Sequence, residues 1–235
     1  MFASNNLERY HSLNGESEKT NELISCVSNL KRALDSQIEC FLYVYSISQS
    51  TRRLNFSSNQ KLSFIANVGI FSSRTINRFI KLRNKVEHEF RKPVVKDIEA
   101  LYDLIMAAVS LLKNAISKRS LINYNADIGL DEESIIGRFS AEYSDDPVAV
   151  KIRYTIFEKP VSKKDDWNEF NAEKRKIMFK TIKEIDLVAT LDDQDAFPYY
   201  LRCLLVFHSL DSYGTYEHIK ERIKPYSEPV RIGNG

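Results

Sequence analysis

Residues 72–96 read SSRTINRFIKLRNKVEHEFRKPVVK, and this stretch sets the reading of the whole chain. An α-helix advances by about 100° per residue. At that period Ile76, Phe79, Ile80, Val86 and Phe90 fall on one apolar side, and Asn77, Lys81, Asn84 and His88 form a polar stripe. Ser72 or Ser73 is placed to cap the helix. Pro93 lacks an amide donor and turns Lys92 away from helical angles, so the helix is expected to stop near Phe90 or Arg91. Arg83 falls near the centre of the apolar side. A guanidinium keeps its proton, so burying one without partners is costly. Either Arg83 has a buried acceptor, or that side opens into a polar cleft. The plainer reading is an ordinary i, i+4 ion pair with Glu87, contributing about 0.2–0.5 kcal/mol.

Upstream, residues 1–19 are polar and read as an irregular lead-in. Leu23, Val27, Leu30, Leu34, Ile38, Phe41 and Tyr45 recur at spacings of three and four, predicting a helix from Thr20 or Asn21 to about Ser50. After a loop over Asn55–Asn59, a short helix turns Leu62, Ile65 and Ala66 inward and ends at Gly69. Downstream, Val95, Ile98, Leu101, Tyr102, Ile105, Val109, Leu112 and Ile116 make the stripe of another long helix. Four amphipathic helices on short loops predict an up-and-down bundle over residues 20–120.

Beyond Lys118 the period changes. Val148, Val150, Ile152, Tyr154 and Ile156 alternate with Ala149, Lys151, Arg153, Thr155 and Phe157, as in a half-buried strand. Ile135–Tyr143 is its expected partner, joined through Ser144-Asp145-Asp146-Pro147. Lys151, Arg153 and Arg138 would sit on the outer face, either extending a nucleic-acid surface or simply solvated. Residues 158–165 read as a polar connector. Helical periodicity is read over Trp167–Val188, Asp195–Leu210 and Tyr216–Ile223. The expected fold is therefore mainly α: a helical bundle, then a small β-hairpin with helices as an α+β extension over residues 130–235.

The formal charge of +2 is unevenly spread. Residues 72–96 hold Arg74, Arg78, Lys81, Arg83, Lys85, Arg91, Lys92 and Lys96 against Glu87 and Glu89, a net +6 that leaves −4 for the rest. A basic segment on an acidic chain suits a phosphate-backbone partner, although a solvated helix face gives the same pattern. Arg74, Arg78, Lys81, Lys85, Arg91 and Lys92 are the candidate nucleic-acid contacts. Cys26, Cys40 and Cys203 form no C-x-x-C pair, pointing to a reducing, cytoplasmic setting. The four histidines lack metal-ligand spacing, and no P-loop, G-x-G-x-x-G or H-E-x-x-H is present, so neither metal nor cofactor is expected. Asp192, Asp193 and Asp195 read as a capping loop. The start shows no signal-peptide pattern, and apolar runs such as Leu104–Val109 fall short of the ~20 residues that span a bilayer.

The run Arg83-Asn84-Lys85-Val86-Glu87-His88 resembles the R-x(4–6)-H motif of the HEPN superfamily, whose members commonly carry Asn directly after the arginine. The likeness covers roughly residues 20–120 and includes the motif's place late in the third helix of a helical segment. It implies a metal-independent RNA endonuclease of the toxin or antiviral-defence type, working as a homodimer with the motif at the interface. Arg83, Asn84 and His88 would be catalytic, RNA the substrate, and an antitoxin or other regulatory protein a further partner. The alternative is a non-catalytic HEPN-like dimer that binds RNA or a protein. One departure is Phe90: the branch silenced by a small nucleotidyltransferase carries a modifiable tyrosine there.

Overall fold

The computed structural model describes residues 2–48, 56–72, 74, 77–81, 84, 94–121, 123–129, 134–162 and 180–207. Its architecture is mixed α+β, in two compact units, Met1–Arg119 and Ser120–Gly235.

The first unit is helical and organised on α2 (Glu16–Val44), whose Leu23, Val27, Leu30, Leu34, Ile38 and Phe41 form one buried stripe. The periodicity located this helix; its first turn lies a few residues earlier than expected and its last a few residues sooner. The end has a local cause. Ser46 adopts φ 53°, Ile47 N–H donates to Leu42 O at 2.8 Å, and Ser46 N–H donates to Tyr43 O at 2.9 Å. These two bonds close a Schellman turn, with Ile47 buried beneath it. Tyr45 stays inside, donating from Oη to Ala115 O at 2.8 Å, and Arg119 lies over its ring while donating from Nε to Val44 O at 3.2 Å.

The irregular lead-in expected over residues 1–19 is corrected by α1 (Phe2–Ser12), which packs along α2. Its sequence has few apolar anchors, so tertiary contacts supply what local pattern does not. Ala3 is buried and accepts from Cys26 Sγ at 3.5 Å, while Asn6 donates to Glu22 and accepts from Asn29 Nδ2 at 2.8 Å. The short helix α3 (Ser58–Asn67) begins inside the expected loop because Ser57 and Gln60 form a capping box. It ends as the glycine predicted: Gly69 has φ 80°, with Gly69 N–H on Ala66 O and Ile70 N–H on Ile65 O. Helix α4 (Val95–Ser117) buries Ile98, Leu101, Ile105, Val109 and Leu112 and packs on α2. Among the described residues it is the one helix long and apolar enough to cross a membrane. Its buried stripe packs on α2, and Lys96, Asp97, Asp103 and Lys113 are exposed on the rest of the helix.

The second unit is a four-stranded antiparallel sheet in the order β1 (Asn123–Gly129), β2 (Ser134–Asp145), β3 (Val148–Ser162), β4 (Thr181–Thr190). The predicted hairpin is β2–β3, turning at Asp146-Pro147. The polar connector over 158–165 is corrected for its first part, since β3 runs on to Ser162. The helix read over Trp167–Val188 is corrected at its C-terminal end, where residues 181–190 are a strand; its earlier part lies outside the described residues. Phe139, Ala141, Tyr143, Val150, Ile152 and Ala189 form the buried face. Helix α5 (Ala196–Phe207) covers it with Phe197, Leu201 and Leu204. Asp193 Oδ1 accepts the Ala196 amide at 2.9 Å, so the carboxylate loop caps this helix, one aspartate earlier than Asp195. The helix read over Tyr216–Ile223 lies outside the described residues.

Candidate functional site

The motif helix is described in part. Arg74, residues 77–81 and Asn84 are helical. Phe79 is buried, Ile80 half-buried, and Asn77 and Lys81 exposed, in line with the apolar side and polar stripe of the sequence. Asn84 is half-buried. Arg74, Arg78 and Lys81 are exposed, and their spacing of four and three aligns them along one helix face. Among the described residues none of these three forms an ion pair. Such a row of cations over a buried aromatic anchor can meet successive phosphates of one strand. Arg83, Lys85, His88, Arg91 and Lys92 lie outside the described residues, so the geometry joining Arg83 to His88 rests on the sequence.

The sheet carries a second constellation, whose cations Arg138 and Arg153 were expected on an outer face and whose acidic partners were not. On its open face Asp127 of β1, Arg138 of β2 and Thr155 of β3 stand in one row, with Glu184 of β4 beyond. The next row is Asn125, Ser140, Arg153 and Asp186. Arg138 Nε lies 3.2 Å from Asp127 Oδ1, and its guanidinium carbon sits 6.0 Å from the centre of the Phe157 ring. Arg153 Nε lies 2.7 Å from Asp186 Oδ1 and 3.3 Å from Glu184 Oε1. The Asp186 hydrogen bond, its charge and the Glu184 charge raise the Arg153 pKa above its ordinary value. A depression of about 370 Å³ opens on this face.

The strands that bring in the acidic partners had a signal. Asn123, Asn125 and Asp127 alternate with Tyr124, Ala126 and Ile128, and Glu184 and Asp186 alternate with Ile185 and Leu187. Among the described residues no group of three or more His, Cys, Asp or Glu side chains is gathered as a metal site. No family model matches the chain, and no curated protein and no solved structure matches it.

Proposed function

We propose that this chain is a HEPN-type, metal-independent RNA endonuclease acting as a homodimer in the cytoplasm, of the toxin or antiviral-defence kind. The observation that carries the reading is the Arg83-Asn84-x-x-x-His88 run in a basic stretch of sequence, just after the exposed cations Arg74, Arg78 and Lys81. In this reading residues 20–120 form the HEPN-type bundle, and its apolar arginine side faces a dimer cleft.

RNA supplies its own nucleophile. One histidine removes the proton of a 2′-hydroxyl, the freed oxygen bonds to the adjacent phosphorus, and the bond from phosphorus to the 5′-oxygen breaks. The leaving oxygen takes its proton from a second histidine. An unperturbed imidazole titrates near ~6.5 and can serve either role at neutral pH. Each chain offers one histidine in the motif, so a two-fold dimer that pairs two motif helices supplies both. Arg83 from each protomer donates its planar fork to the non-bridging oxygens as negative charge builds. Asn84, one turn before His88, orients the imidazole or the phosphate. Arg74, Arg78, Lys81, Lys85, Arg91 and Lys92 hold the backbone on either side. A regulatory or antitoxin protein would restrain cleavage.

The test is incubation of the purified protein with total RNA and tRNA, with and without EDTA. Discrete cleavage that survives EDTA supports the reading. RNA retention without cleavage transfers the assignment to a binding module, and cleavage that requires added metal overturns the mechanism.

A further inference from the structure

We propose that the outward stripe of α4 is where two copies of this chain meet, helix against helix and antiparallel. The proposal rests on the homodimer of the ribonuclease reading and says which face of the first unit forms it.

Helix α4 carries more apolar surface than its neighbours cover: only 33% of its most apolar stretch is buried. The buried stripe runs through Ile98, Leu101, Ile105, Val109 and Leu112. Roughly 130° around the axis, Ala100, Leu104, Ala107 and Leu111 form a second stripe, at spacings of four, three and four. Ala100 and Ala107 are exposed, Leu104 is half-buried and Leu111 is 47% exposed. This repeat keeps the four side chains in line over about 16 Å and alternates small with large. That is the pattern of a helix seam, in which a leucine of one helix enters the space above an alanine of the other.

The charges beside the stripe decide the orientation. Glu99 is met by His11 at 3.1 Å. The exposed charges are then Lys96, Asp97 and Asp103 before the middle of the stripe, net −1, and Lys113 after it, +1. A parallel copy would set like beside like, whereas an antiparallel copy sets −1 against +1. A two-fold axis at Ala107 places each Leu104 between Ala107 and Leu111 of the other copy. It also brings each Asp103 to the flank that carries the other copy's Lys113. A lipid surface suits the stripe less well, because helices that lie on membranes are flanked by lysine and arginine, and here Asp97 and Asp103 stand beside it.

The experiment is sedimentation velocity on the full-length protein from ~1 to ~100 µM, with circular dichroism on every variant. The parent should dimerise over this range. Ala107→Asp, which sets two carboxylates together at the axis, should weaken the dimer at least about tenfold. Because Ala107 is exposed, the variant should melt within ~4 °C of the parent. Asp103→Lys and Lys113→Asp should each weaken the dimer, and the double swap should regain it; a double swap that regains nothing overturns the antiparallel arrangement. A parent monomeric at ~100 µM overturns the proposal, as does an Ala107→Asp protein that dimerises like the parent. So does a monomeric parent that co-sediments with phosphatidylcholine vesicles through a stripe sensitive to Ala107→Asp. A parent that dimerises through the stripe but cuts no RNA sustains the seam and removes only the ribonuclease reading. RNA cutting by a dimer indifferent to Ala107→Asp removes only the seam.

Discussion

Replacing Gly137 by alanine tests the described sheet at a position with no room for a Cβ. Gly137 of β2 pairs with Ile156 of β3, beside the register shift between Ile135 and Gly137. A Cβ there would meet the Thr155 carbonyl oxygen at 2.3 Å, its carbon at 3.3 Å and Ile156 Cα at 3.5 Å. All three atoms are backbone, so no side chain can swing aside; the strands must separate or slip. Overpacking costs typically ~1–3 kcal/mol, and a clash against a hydrogen-bonded strand belongs at the upper end. For a cooperative unit of about a hundred residues, ~3 kcal/mol lowers Tm by roughly 12–24 °C. Gly15→Ala is the matched control. Its Cβ would meet Glu18 Oε2 at 3.0 Å, the far end of a flexible side chain, so the expected cost stays under about 1 kcal/mol. Thermal unfolding followed by circular dichroism, with urea midpoints beside it, reads both. A Gly137→Ala protein within ~4 °C of the parent, or a Gly15→Ala protein that loses as much, would refute the β2–β3 register.

Other outcomes follow from burial and charge. In the native protein a thiol reagent should label Cys40, which is exposed, and reach Cys26 and Cys203 on unfolding; fast labelling of all three contradicts the packing of α1 on α2 and of α5 on the sheet. Burial pushes the Cys26 thiol from 9.0 to about 11 and Tyr45 also upward. Raised folded-state values mean the unfolded chain loses these protons first, so their contribution is intact below about pH 9 and falls as pH rises through about 11. Urea midpoints should decline over that window and decline less in Cys26→Ala; a flat profile would contradict the burial. Light scattering should find a dimer at micromolar concentration, and a monomer there would count against the two-histidine site.

Legibility in the sequence tracked how many residues carried the pattern. Helices α2 and α4 each repeat an apolar stripe over many turns, and Gly69 fixes a helix end by its own backbone freedom, so these were readable. The β2–β3 hairpin was readable because inward residues alternate through its centre, Phe139, Ala141 and Tyr143 against Val150 and Ile152; the shift at Ile156/Phe157, which turns Phe157 inward, had no such signal. Helix α1 was not, since Ala3 and Asn6 hold it through contacts sixteen or more residues away. Strand β4 was misread because Ile182, Ile185 and Val188 also recur every three residues, which imitates a helix; pairing with β3 decides the matter. On the sheet, Arg138 and Arg153 were visible as outward cations. Their splay was not, because Asp127 and Asp186 become neighbours only through strand order. At the motif, composition gave the cations and spacing gave their face, while the pairing of two histidines depends on a second chain.

The claim at the centre is that His88 and the RNA's own 2′-hydroxyl perform the cleavage. The measurement is the rate and end chemistry of cleavage of one defined RNA by the parent and His88→Ala proteins, both in EDTA, beside the same RNA with a single 2′-deoxy substitution at the cut site. The account predicts a 2′,3′-cyclic phosphate end, a rate loss of roughly 10²–10⁴ in His88→Ala, typical of a general acid–base residue, and no cutting of the deoxy-substituted RNA. Full activity in His88→Ala, or cleavage at the deoxy position, would contradict it.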